Sequence, residues 1–254
     1  MIFFHKCTLV RFATKTQCKI VVMNLQKLND AIQQYADFLR SNPQHDPYLP
    51  WESQRIFQET WDVAALDFRT VYDRSLENSR SRRLWKRENY EPKAMMLRFM
   101  ELNREFVREV FQDLFNESKD VDGRLGRFVF HCDELLAGWQ EAHPTSRLNS
   151  HFHDDNYQMA SLYLAFRHPT QYLPYDFDSF RRLMELLGSR DLPSVDEVGR
   201  YFKVMRTIFT FLKKQEEILP LHSKRLTPGL HYAGETLLVA WDFMRVATRN
   251  ERMV

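Results

Sequence analysis

The chain has 254 residues, 44% of them hydrophobic and 14% aromatic, so it is long enough to bury a substantial core. Its 36 Lys and Arg nearly balance 34 Asp and Glu, and a formal charge of +2 excludes a global field for capturing polyanions, leaving any nucleic-acid contact to a local patch. No run of about 18 apolar residues occurs, so no membrane span is expected; Cys7, Cys18 and Cys132 have neither disulfide-framework nor zinc-knuckle spacing, which points to a reducing cytoplasm.

Residues 1–22, MIFFHKCTLVRFATKTQCKIVV, break their apolar pieces with Lys6, Arg11, Lys15 and Lys19, a poor leader core. Two readings of this extension stand. Its Phe, Val and Thr content predicts a short strand pair, or translation starts at Met23, directly before Asn24, a good helix N-cap. From Leu25 to Arg40, Leu28, Ile32, Tyr35, Ala36 and Leu39 keep helical spacing, and Ser41-Asn42-Pro43 ends the run. After the linker SNPQHDPYLP, Pro50 opens a helix bearing Trp51, Ile56, Phe57 and Trp61, and Ala65 to Leu76 continues with Leu66, Phe68, Val71 and Tyr72. Residues 77–91, ENSRSRRLWKRENYE, have no clean period and read as an exposed loop or frayed helix. Pro92 starts the longest helix, through Phe115, whose apolar density predicts a central core position. Asp120 to Trp139 is another, with Leu125, Phe128, Cys132 and Leu135 inward.

Residues 146–153 read as a polar connector. The stretch DDNYQMASLYLAFRHPTQYLPYDFDSFRRLMELL then predicts two helices joined by an aromatic, proline-bearing elbow. Asp154 and Asp155 suit the first N-terminus, where carboxylates accept free N–H groups; Pro169 stops that helix, Asp176 or Asp178 caps the second, and Gly188 closes it. Ser194 with Glu197 three residues on is a capping-box pattern opening a helix to Leu212. Leu219 to Tyr232 reads as loop and Gly234 to Val246 as the last helix. The expected fold is mainly α: one compact multi-helix domain over residues 23–254, preceded by the 1–22 extension.

Seven glycines and no GxxxxGK[ST] run leave no loop suited to wrapping phosphates, so no enzymatic activity and no cofactor are expected. His151, His153, Asp154 and Asp155 have metal-ligand residue types but read more simply as a connector and cap. Glu91-Pro92-Lys93 with Asp73 upstream echoes the acid-acid-lysine grouping of restriction-type nucleases. Such groupings normally sit on strands, whereas this lysine falls in the first turn of a helix, so no metal site is assigned. Cys132, on an apolar face, reads as core. The local feature with a plausible ligand is Arg80, Arg82, Arg83, Lys86 and Arg87, interleaved with Trp85 and Tyr90: guanidinium groups fork onto phosphates and an indole stacks on a base. The competing reading is a solvated loop whose Trp85 packs down on the core.

Taken in order, WESQRIFQETWDVAALDF, NYEPKAMMLRFMELNREFVREVFQDLFNESKDVDGRLGRF and DDNYQMASLYLAFRHPTQYLPY resemble the N-terminal region of McrB-like AAA+ restriction ATPases, over about residues 23–241. In that family the region precedes a nucleotide-hydrolysing AAA+ module that acts with a McrC-type nuclease. The resemblance implies a cytoplasmic, nonenzymatic DNA-recognition or adaptor domain of a McrBC-like defence system. Its expected partners are duplex DNA, a separate AAA+ ATPase and a McrC-type nuclease. The AAA+ module is missing here, so a fragment, split product or excised domain is expected, and no family binding residues map onto this sequence. The alternative is a protein docking module of the same complex with no DNA contact.

Overall fold

A computed structural model describes residues 23–44, 50–79, 85–86, 90–154 and 157–249. The expected strand pair before Met23 lies outside them. Among the described residues are ten helices and no strand: α1 (Leu25–Ser41), α2 (Trp51–Thr60), α3 (Phe68–Ser75), α4 (Pro92–Leu114), α5 (Val121–Ala142), α6 (Gln158–Arg167), α7 (Phe177–Leu186), α8 (Val198–Lys213), α9 (Ile218–Lys224) and α10 (Leu238–Arg249). Local chemistry sets most boundaries. Asn24, Asp67, Asp120 and Asp176 each accept a first-turn amide through the side chain, and Asn24 takes two. At the end of α7, Gly188 at φ +70° lets its own N–H reach Glu185 O and that of Ser189 reach Met184 O, the paired bonds of a Schellman turn.

Several boundaries depart from sequence expectation. Because Asp67 caps α3, the helix starts at Phe68 and leaves Leu66 outside it, 92% exposed instead of inward. Ser194 donates its N–H to Glu197 Oε2 at 3.1 Å, so one half of the capping box forms, but α8 begins only at Val198. The expected loop after Leu219 contains α9, with Pro220 in its first turn, where no intrahelical N–H is needed. α10 begins at Leu238 rather than Gly234, after Thr236 Oγ1 accepts the Leu238 amide at 3.2 Å. α4 bends at Asn103 (φ −152°, ψ 84°), whose side chain accepts the Phe106 amide at 3.1 Å and so caps the second segment.

α6 is the buried centre: every side chain from Met159 to Phe166 is interior. α10 is nearly as enclosed, with Leu238 to Met244 all buried, and it occupies the central role that apolar density had suggested for α4. α4 instead buries one face, with Leu102 40% exposed on the other. α2 packs on α3 and α6, α4 on α3 and α5, and α10 on α1, α7 and α8. The elbow is held by side chains that satisfy its backbone. Ser161 Oγ accepts the Tyr175 amide at 2.8 Å, Tyr201 donates its hydroxyl to Pro174 O at 2.7 Å, and the Leu237 amide donates to Pro169 O at 2.8 Å.

Candidate functional site

A cavity of about 550 Å³ opens between α2, the end of α3 and the start of α4. Glu52 and Ile56 come from α2, Asp73 and Leu76 from the end of α3, and Lys93, Ala94 and Leu97 from α4; Trp85 and Lys86 complete the wall from the intervening segment. Glu52 is 6% exposed, and its two oxygens accept the Ser79 N–H at 2.9 Å and the Ser79 hydroxyl at 2.8 Å, which fastens the segment after α3 onto α2. Asn78 lies beside that anchor on the wall. Both its Oδ1 and its Nδ2 are buried and find no hydrogen-bond partner among the described residues, an arrangement that costs free energy unless something else supplies the missing edge.

The lining carries Glu52, Asp73, Glu77 and Glu91 against Lys86 and Lys93, an excess of negative charge. The acid-acid-lysine grouping noted in the sequence does meet here. Lys93 Nζ lies 2.6 Å from Asp73 Oδ1 and Lys86 Nζ lies 3.8 Å from Glu91 Oε1. Each ammonium therefore satisfies a carboxylate that a divalent ion would need, and Glu91 stands at the N-cap of α4 without a capping bond. The chemistry left to the cavity is recognition of a neutral, hydrogen-bonding ligand; a phosphate inside it would meet more carboxylates than ammoniums.

Of the six residues singled out as a nucleic-acid surface, Arg80, Arg82, Arg83 and Arg87 lie outside the described residues. Lys86 is exposed. Trp85 is 2% exposed, with its ring edge-to-face on Phe166 at 6.1 Å between centroids, so the indole is part of the core as well as of the cavity wall. Stacking an external base on that ring would require pulling it out of the interior; the ring is packed down on the core, as the competing reading of this stretch has it.

The 146–153 connector also differs from expectation. His151 and His153 are interior, 2% and 0% exposed, and they meet Cys132 of α5: one ligand atom from each residue lies within 4.8 Å of the other two. Among the described residues this is the one His/Cys/Asp/Glu group so gathered. Asp154 is exposed and does not cap α6, Asp155 lies outside the described residues, and Tyr157 at φ +56° precedes the first helical residue. Sequence reasoning missed the trio because Cys132 stands on a separate helix, apart from the two histidines and with no motif spacing. The one usable signal was the i, i+2 histidine pair. No protein-family model, curated protein or solved structure matches the chain.

Proposed function

We propose that the chain is a nonenzymatic DNA-recognition or adaptor domain of a McrBC-like restriction system, gripping duplex phosphates through residues 80–87 and receiving one unpaired base in the adjoining cavity. The observation that carries this reading is the Asn78 amide on the cavity wall, buried and with no partner among the described residues. A nucleobase edge offers a donor beside an acceptor, which is what a carboxamide lacks when both its atoms are unpaired. The volume of about 550 Å³ lies in the usual range for small-ligand sites of about 300–1,000 Å³. The acidic lining keeps phosphates out, while Arg80, Arg82, Arg83, Lys86 and Arg87 supply up to five cations in the sequence on either side of Trp85. Extruding a base costs least where it is mismatched, so a mismatch-bearing duplex is the sensitive probe.

Titration of labelled duplexes at several salt concentrations tests this. With five phosphates neutralised the log-log salt slope is about −4 to −5, and Arg82→Ala with Arg83→Ala flattens it by about 2. Asn78→Leu abolishes the preference for the mismatched duplex and leaves the slope intact. Absence of binding at low salt, or indifference to both changes, removes DNA from the reading. That outcome selects the docking-module alternative.

A further inference from the structure

We propose that Cys132, His151 and His153 bind a zinc-class transition-metal ion in the interior of the fold, between α5 and the connector to α6. In a tetrahedral zinc site with bonds of about 2.0–2.3 Å, ligand atoms stand about 3.3–3.8 Å apart, so a set already within 4.8 Å closes on an ion by small side-chain movements. One thiolate with two imidazoles selects zinc or cobalt over magnesium or calcium, which prefer oxygen.

The surroundings of the two rings match what metal-binding histidines need. His153 Nδ1 lies 2.7 Å from the His151 carbonyl oxygen, to which it donates; this fixes the tautomer and leaves the Nε2 lone pair free to ligate. Its polar neighbour there, among the described residues, is the Tyr163 hydroxyl at 3.3 Å, a long contact that leaves room for competition, and that hydroxyl is itself 2.7 Å from the Tyr72 hydroxyl. His151 Nε2 lies 3.0 Å from Asp133 Oδ1, the carboxylate–histidine pairing that orients a ligating ring. Coordination through His151 Nδ1 keeps that bond and exchanges the His153 amide, which now donates to Nδ1 at 3.0 Å, for the ion.

Between the histidines, Phe152 sits at φ +62°, a left-handed backbone that a bulky side chain rarely adopts, and it is one of two such non-glycine residues among those described. That turn accompanies two rings facing one thiol. Asp133 is 65% exposed while its partner His151 is 2% exposed, so this carboxylate–imidazole pair runs from the surface to the buried trio. Three protein ligands leave a fourth position for water. Binding converts the Cys132 thiol to thiolate and releases its proton to solvent.

Chain stripped with a chelator and dialysed against zinc is expected to retain about one ion per molecule and to melt at a higher temperature than the stripped form. Cobalt in place of zinc reports the ligands. A near-ultraviolet thiolate-to-cobalt charge-transfer band is expected in the wild type and in a Cys7→Ser/Cys18→Ser variant, and it disappears in Cys132→Ser. His153→Gln lowers the cobalt affinity at least tenfold. If Cys132→Ser fails to fold, the Cys7/Cys18 variant still decides, since Cys132 is then the remaining thiol. No retained ion, a cobalt spectrum without the thiolate band, or a band lost with Cys7 and Cys18 overturns the proposal.

Discussion

His222 shows how a single buried imidazole makes the fold sensitive to acid. Its ring lies on Trp51, 4.8 Å between centroids, and it is 3% exposed. Burial pushes its pKa down from 6.5 to about 4; Asp242 pulls the other way and Arg225 reinforces the depression. The folded state thus holds this proton less tightly than the unfolded chain. The stability contribution is complete above about pH 6.5 and is lost as the pH falls towards about 4, at about 1.4 kcal/mol per pH unit and about 3 kcal/mol in all. Urea midpoints measured from about pH 7 to about pH 4.5 should therefore fall, and His222→Gln should remove one proton from the slope. An identical slope in the variant would mean that the ring is not desolvated. Trp85→Ala is expected to cost about 3–5 kcal/mol of stability by opening a void against Phe166, so it is a poor probe of binding. Its exposure was not legible in the sequence, because an aromatic among arginines is compatible with a solvated loop and with a core anchor.

At the scale of elements, periodicity and capping residues disclosed most helices, since those signals are local. Asn24, Asp120, Asp176 and Gly188 do in the structure what their side chains and backbone freedom imply. What joins the elements was not legible. Asp242 of α10 accepts the hydroxyl of Tyr35 on α1 at 2.8 Å and Nη1 of Arg225, the C-cap of α9, at 2.8 Å. Two of the three partners are more than 200 positions apart, and nothing in either local sequence announces the pairing. The Arg225 and Asp242 side chains are 3% and 6% exposed, so removing one leaves the other charged and unpaired in the interior. Asp242→Ala should cost about 3–5 kcal/mol, whereas Tyr35→Phe, which removes one hydrogen bond and no charge, should cost about 1 kcal/mol. Equal costs from denaturant titration of the two variants would show that the ion pair is not what binds α1 and α9 to α10.

For the whole molecule, the mainly α class followed from helical spacing and capping residues, but the arrangement of the helices depends on contacts between distant segments. A chain of this length does not unfold in one step by default, because domains above about 150 residues often populate intermediates. The decisive feature is whether any boundary divides the core. Buried side chains from Met23 to Met244 form one cluster, and the two most enclosed helices are joined through the elbow, since Pro169 just after α6 accepts the Leu237 amide at the entrance to α10. A second backbone link runs from the Tyr232 amide to Trp51 O, and Asn24, before α1, donates to Leu187 O. Separating the helices around α6 from those around α10 would therefore expose apolar surface and several backbone groups at once. Far-ultraviolet dichroism follows all the helices, whereas tryptophan emission reports on Trp51, Trp61 and Trp85 near α2 and α6, Trp139 on α5 and Trp241 on α10. The two urea transitions should coincide in midpoint and slope. A dichroism curve lagging the fluorescence would mean that some helices survive as a separate folding unit, and that the shared core is not cooperative.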